Sequence, residues 1–267
     1  MVHPLAPPSA PRGPLAGIGI LVTRPARQAA GLVSQLAALG ATPIVFPAIV
    51  ILPPSDPAPL AKAHADLDRY DAAIFVSSNA AEYGVPSPSR WPASVTAYAT
   101  GPGTAAALMA AGLADARIPQ TTFDSEGLLA LPALAGVSGK RIAIFRGEGG
   151  RDRLGEALRA RGATVDYVDC YRRARPSSGA GGLVEALRAN RVQAVTLTSA
   201  EGLDNLCAIV DDEARALLMR LPAFAQHPRI AEHARSLGFT AIETASGDAG
   251  LVAGLLEWSS TRSRPGP

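Results

Sequence analysis

The chain has 267 residues, 48% hydrophobic and 18% charged, which supplies the apolar material for one large or two small packed domains and excludes disorder along its whole length. Lysine and arginine number 25 against 23 aspartates and glutamates, so the net charge of +2 gives no global field to hold nucleic acid or an anionic membrane. Two cysteines, Cys170 and Cys207, are too few for a disulfide scaffold or a zinc site, and the 4 histidines stand in no metal-ligand spacing.

In chain order, residues 1–14 are proline-rich, lack the apolar stretch of a secretory signal and are predicted to be a disordered tail on a cytoplasmic protein. Gly17–Arg24 reads as a buried strand ending in arginine. A helix carrying Leu32, Leu36 and Leu39 follows, and Gly40 suits the position just past its end. The apolar run at 44–52 is short and broken by Pro47, so it cannot span a membrane. A proline-rich stretch over 52–59 reads as a linker. Asp71–Ser77 is the next strand, with Ser77, Ser78 and Asn79 at its end. Gly101-Pro-Gly-Thr104 follows another strand and precedes an apolar helix over 105–111.

Gly139–Arg146 is again a strand ending in arginine, and Gly147-Glu-Gly-Gly-Arg151 opens a helix over 152–161. Free N–H groups and the helix dipole favour an anion at that turn, although it lacks both the P-loop ending and the dinucleotide glycine pattern. The strand through Val168–Arg173 carries Tyr171, and a Gly/Ser-rich linker over 174–182 follows. Gln193–Ser199 is a further strand ending in Thr198 and Ser199, Asp211–Glu213 reads as a helix start, and His227 and His233 lie at a helix start and on a helix face.

These elements repeat. Gly17–Arg24 matches Gly139–Arg146, Gly40 matches Gly162, and Asp71–Ser77 matches Gln193–Ser199, each at an offset of 122. Tyr171 pairs with Ile49, so the repeat does not demand a tyrosine there. Strands alternating with helices imply an α/β class: two similar three-layer α/β/α domains with mainly parallel sheets, joined by a two-segment linker and arising by internal duplication. Because the long linkers fall at 52–59 and 174–182, one domain is expected over 60–173 and a discontinuous one over 15–51 plus 183–258, with a tail over 259–267 and a hinge beneath a cleft. Ligands in such sheets bind beyond the carboxyl ends of strands. That rule nominates Arg24, Ser77, Ser78, Asn79, Gly101, Thr104, Arg146, Gly149, Gly150, Arg151, Thr198, Ser199 and Arg229 as binding residues.

Over about residues 17–256 these motifs together resemble the uroporphyrinogen-III synthase family. The features that carry the resemblance are Val22-Thr-Arg-Pro25, Phe75-Val-Ser-Ser-Asn79, Gly101-Pro-Gly-Thr-Ala105, Ser125-Glu-Gly-Leu128, Arg146-Gly-Glu-Gly-Gly-Arg151, Gly162–Arg173 and Thr198-Ser199. The resemblance implies two α/β domains around a mobile cleft. It also implies a cyclising lyase that closes linear hydroxymethylbilane to uroporphyrinogen III with loss of water and inversion of the last ring, on the route to heme, siroheme and cobalamin. It implies no cofactor and no metal, and Tyr171, by match to the family's tyrosine, as the acid for the departing hydroxyl. The chain departs from the family at Val76, His227 and Ile230, where hydroxyl residues are usual. A cytoplasmic monomer is expected, with a small-molecule linear tetrapyrrole as substrate, at most transient contact with the preceding pathway enzyme, and neither nucleic acid nor membrane as partner. The alternative is a non-catalytic two-domain binding or regulatory protein that retains the fold.

Overall fold

Gly19–Val22 carries no polar side chain and is buried at every position, the pattern of a central parallel strand, β1. Helix α1 (Ala26–Ala38) buries Ala29, Leu32 and Leu36, which share one face at three- and four-residue spacing. Gly40, at φ 85°, then reverses the chain into β2 (Thr42–Val45), a left-handed conformation that suits glycine. The chain continues through β3 (Val50–Leu52), α2 (Ala58–Ala65), β4 (Ala72–Phe75), α3 (Ser78–Gly84), β5 (Thr96–Ala99), α4 (Pro102–Ala110), α5 (Ser125–Leu129) and α6 (Pro132–Ala135). β6 (Arg141–Gly147), α7 (Arg153–Ala160) and β7 (Thr164–Ala174) repeat the opening strand–helix–strand, with Gly162 at φ 87° in the place of Gly40. α8 (Gly181–Arg188), β8 (Ala194–Leu197), α9 (Ala200–Ile209), α10 (Asp212–Met219), β9 (Pro222–Ala225), α11 (Pro228–Ser236), β10 (Thr240–Glu243) and α12 (Gly247–Arg262) complete it. This computed structural model describes residues 13–86 and 91–262.

Two compact units result, one made of the chain up to Val50 and from Arg175 onward, the other of Ile51–Ala174. The discontinuous unit holds a sheet in the order β10-β9-β8-β1-β2, the continuous one a sheet in the order β3-β7-β6-β4-β5. β1 pairs in parallel with β2 and β8, and β8 with β9; β6 pairs in parallel with β7 and β4, and β4 with β5.

Each sheet is covered on both faces, because alternate strand residues point to opposite sides. In the discontinuous unit Leu21 packs with Leu183, Leu203 and Leu218, whereas Ile20 and Val22 pack with Leu32, Leu36, Leu251 and Leu255. In the continuous unit Phe75 and Phe145 stack 4.7 Å apart on one face, while Ile74, Ile144, Leu154 and Leu158 fill the other. Each fully buried side chain of this kind contributes about 1.5–3 kcal/mol.

Some boundaries differ from the sequence expectation. The residues read as linkers over 52–59 and 174–182 include the ends of structured elements: Ala58 and Pro59 lie in α2, Ala174 ends β7, and Gly181 opens α8. Proline is compatible with the first helical turn, so a proline-rich stretch can run into a helix. For the same reason α4 starts at Pro102 rather than at 105. The segment 259–267, expected to be a tail, begins inside α12, where Ser259 is buried one turn beyond Leu255. Residues 1–12 and 263–267, the bulk of the expected tails, lie outside the described residues.

In both sheets the winding reverses between two central neighbours. From β4 the chain leaves through α3 toward β5, and from β6 it leaves the other way through α7 to β7. β8 and β1 form the matching pair in the other sheet. Such a switch point leaves a crevice beyond the carboxyl ends of the two strands.

Candidate functional site at the strand ends

In the continuous unit, Ser77 caps α3, its Oγ accepting the Ala80 N–H at 3.0 Å. Gly101 stands at the start of α4, and the Oγ1 atoms of Thr100 and buried Thr104 lie 3.3 Å apart. A Cβ on Gly103 would sit 3.7 Å from Ser78 Oγ, so the turns after β4 and β5 are neighbours. Asn79 is buried in the first turn of α3. On the other side of the switch point, the turn after β6 passes through Gly149 at φ 69° and closes with Gly150 N–H donating to Gly147 O at 3.1 Å.

Arg146 braces that turn. Its Nε donates to Asp169 Oδ1 at 2.9 Å, and its Nη1 donates to Gly150 O at 3.0 Å and to Asp152 Oδ1 at 2.6 Å. Its guanidinium also covers the Tyr167 ring, 3.9 Å from the centroid. Arg151 is exposed.

Tyr171 owes its position to a bulge. Arg146 is opposite Asp169, but Gly147 is opposite Tyr171, so Cys170 is the extra residue. The inserted residue turns Tyr171 onto the face that Val168 and Cys170 already occupy. There the ring is 2% exposed and lies 6.3 Å from the Tyr83 ring. Gly147 is required beneath it, because a Cβ at that position would fall 2.7 Å from Tyr171 Cζ and 3.0 Å from Oη. The hydroxyl reaches Ser77 Oγ at 3.2 Å. Next to it, burial pushes the Cys170 thiol up to about 12, and its Sγ donates to Arg146 O at 3.1 Å.

The discontinuous unit carries a matching but different set. Ser199 caps α9 by accepting Gly202 N–H at 3.0 Å, and Thr198 precedes it. Thr23 Oγ1 donates to Thr196 O at 2.9 Å and Thr196 Oγ1 to Leu21 O at 3.1 Å, which ties together the ends of β1 and β8. Arg24 Nη1 is held by Asp248 Oδ1 at 2.6 Å, while its buried Nε has no partner among the described residues. His227 caps α11 through Nδ1, which accepts the Arg229 N–H at 3.2 Å; the Arg229 side chain is exposed. Where the other unit has Tyr171, this one has buried Ile49.

Within the continuous unit the fold thus gathers Ser77, Ser78, Asn79, Gly101, Thr104, Arg146, Gly149, Gly150, Arg151 and Tyr171 at one end of its sheet. Arg24, Thr198, Ser199 and Arg229 share the corresponding end of the other. Sequence reasoning misses Gly147 as the floor beneath the tyrosine and Asp169 as the anchor of Arg146. The signal for Asp169 was its regular place opposite Arg146; for Gly147 there was none, because the bulge that sets it opposite Tyr171 leaves no mark in the alternation. Among the described residues no group of three or more histidines, cysteines or carboxylates could hold a metal ion.

Two doubly wound units, each with polar turns beside its switch point, define a two-unit α/β protein whose candidate ligand-binding edges lie beyond the carboxyl ends of its strands. A family model described as "Uroporphyrinogen-III synthase HemD" matches residues 30–251. Uroporphyrinogen-III synthase of Salmonella typhimurium is 35% identical over 235 residues, covering 85% of this chain and 95% of that protein. The Escherichia coli enzyme of the same name is 34% identical over the same length and coverage. Among solved structures, uroporphyrinogen-III synthetase of Helicobacter pylori aligns with a TM-score of 0.56 at 13% identity, covering 90% of this chain and 99% of that one. A mutant uroporphyrinogen III synthase of Thermus thermophilus aligns at 0.55 with 20% identity, covering 92% and 100%. The chain belongs to the uroporphyrinogen-III synthase family.

Proposed function

We propose that this chain closes hydroxymethylbilane to uroporphyrinogen III, acting in the cytoplasm as a monomer, with Tyr171 as the acid. The observation that carries this reading is the placement of the Tyr171 hydroxyl. A bulge brings it to the strand ends of the continuous unit, against Ser77 and over Gly147. The Tyr171 proton passes to the terminal hydroxyl of the bilane as the C–O bond breaks. Water leaves with the bonding pair, the pyrrole nitrogen lone pair fills the vacancy, and an azafulvene cation forms. Attack by a substituted pyrrole carbon gives a spiro intermediate, which fragments and recloses with the last ring turned over. The proton lost from carbon at closure returns to the phenolate, so the balance is one water lost. Because Tyr171 is 2% exposed, substrate binding must uncover its hydroxyl.

The substrate supplies the reactive cation, so the protein's work is positioning and the exclusion of premature closure. In the continuous unit the acetate and propionate groups of the bilane meet the free N–H groups at the start of α4, together with Thr104. Arg151, exposed at the same edge, adds positive potential. Mixing the purified chain with freshly made hydroxymethylbilane and resolving the product isomers tests the reading. The type III isomer is expected in excess of the spontaneous type I; type I alone would assign the chain to ligand binding without catalysis.

A further inference from the structure

Ser77 Oγ stands between two groups. It accepts the Ala80 N–H at 3.0 Å as the cap of α3, and it lies 3.2 Å from Tyr171 Oη, whose one hydrogen-bond partner it is among the described residues. A serine hydroxyl has one proton and two lone pairs. With the amide occupying one lone pair, either the serine donates to the tyrosine or the tyrosine donates to the serine. The two directions have opposite consequences for an acid, since a phenol that donates to Ser77 has no proton aimed at a substrate.

We propose that Ser77 is the positioning residue of Tyr171: its O–H donates to Tyr171 Oη, leaves the phenol proton free for the departing hydroxyl, and then holds the phenolate that remains. This inference rests on the reading of Tyr171 as the acid. Three features of the fold favour it. The capped amide holds the serine oxygen in place through one lone pair, so the serine can donate its proton to the tyrosine without giving up the cap. The 3.2 Å separation is longer than the usual ~2.7–2.8 Å between hydroxyls, leaving room to shorten when the partner becomes an anion. The repeat supplies the contrast: Ser199 caps α9 in the same way at 3.0 Å, but the residue matching Tyr171 is Ile49, which has no hydroxyl to orient. Hence the two serines, equivalent as caps, do different work.

The experiment measures kcat and KM for type III formation in Ser77→Gly, Ser77→Asp and Ser77→Thr, each alone and with Tyr171→Phe. Glycine preserves most of the cap's stability, and aspartate caps strongly but offers only acceptors, so both separate the cap from the donor. Both should lower kcat about tenfold, the effect of one charge-assisted hydrogen bond, with KM within about twofold. Ser77→Thr should recover most of the rate. In the Tyr171→Phe background Ser77→Gly should change kcat by less than about twofold, because the hydroxyl it serves is gone. The inference is overturned if Ser77→Gly lowers kcat equally in both backgrounds, or if it raises KM with kcat intact, the mark of a substrate contact. A Tyr171→Phe chain with the parent's turnover would instead remove Tyr171 as the acid, a failure visible before Ser77 is touched.

Discussion

The Arg146 guanidinium is tied down on three sides, by Asp169, by Asp152 and by the Gly150 carbonyl, and is stacked on a fourth by Tyr167. That geometry supports a bracing role for Arg146, in contrast to exposed Arg151 on the same turn. The two cysteines contrast in a similar way. Burial pushes the Cys170 thiol up to about 12, and it is fully enclosed, whereas Cys207, also raised by burial, is only half-buried. Since the thiolate is the reactive form, iodoacetamide at mildly alkaline pH should label Cys207 well before Cys170, and peptide mass spectrometry reads the order. Equal labelling of Cys170 in the folded chain would contradict its placement behind the Arg146 carbonyl. Tyr171 was visible in the sequence as a strand-end tyrosine that the repeat does not require, and its role as acid came from the resemblance alone. Its deep burial was not, because that depends on one extra residue in β7 and a glycine one strand away.

At the scale of elements, the paired starts of β6 and β7 are fastened by charge. Arg141 Nε and Nη2 donate to Asp166 Oδ2 at 3.0 and 2.7 Å, and Tyr70 Oη donates to the same oxygen at 2.9 Å. Burial works against the Asp166 carboxylate, but the hydrogen bonds from Arg141 and Tyr70 outweigh it and hold the group below its usual range. The contribution of such a group is complete above the unfolded value of about 3.9 and is lost as pH falls through the lower folded value. Asp166 is more than a third exposed, at 37%, so screening limits its worth to about 1 kcal/mol. Urea unfolding of Asp166→Asn should therefore show a deficit of that size at pH 7 that closes as the pH falls through the lowered folded value. A gap that persists or widens in acid would contradict the assignment. The caps of these elements were readable, since Ser77, Ser199 and Asp211 each accept an N–H three residues on. The bulge was not, because hydrophobic alternation shows where a strand lies and not where its register slips.

For the whole chain, the duplication explains why two units share one winding. Each joins a β–α–β part of one copy to the strand–helix run of the other, so β1 pairs with β8, and β6 with β4, across long stretches of sequence. The offset of 122 residues marks the repeat in the sequence, and the expected grouping of its parts was read from the linkers at 52–59 and 174–182. The strand ends then differ between copies, Tyr171 against Ile49, so the acid proposed above belongs to the continuous unit. The most direct measurement is the ratio of type III to type I uroporphyrinogen made from fresh hydroxymethylbilane by the parent chain and by Tyr171→Phe side by side, with thermal unfolding confirming that both are folded. The parent should give mainly type III. The variant should form it on the order of 10²-fold more slowly, so that spontaneous type I dominates. Type I alone from the parent, or type III at equal rates from both, would contradict the account.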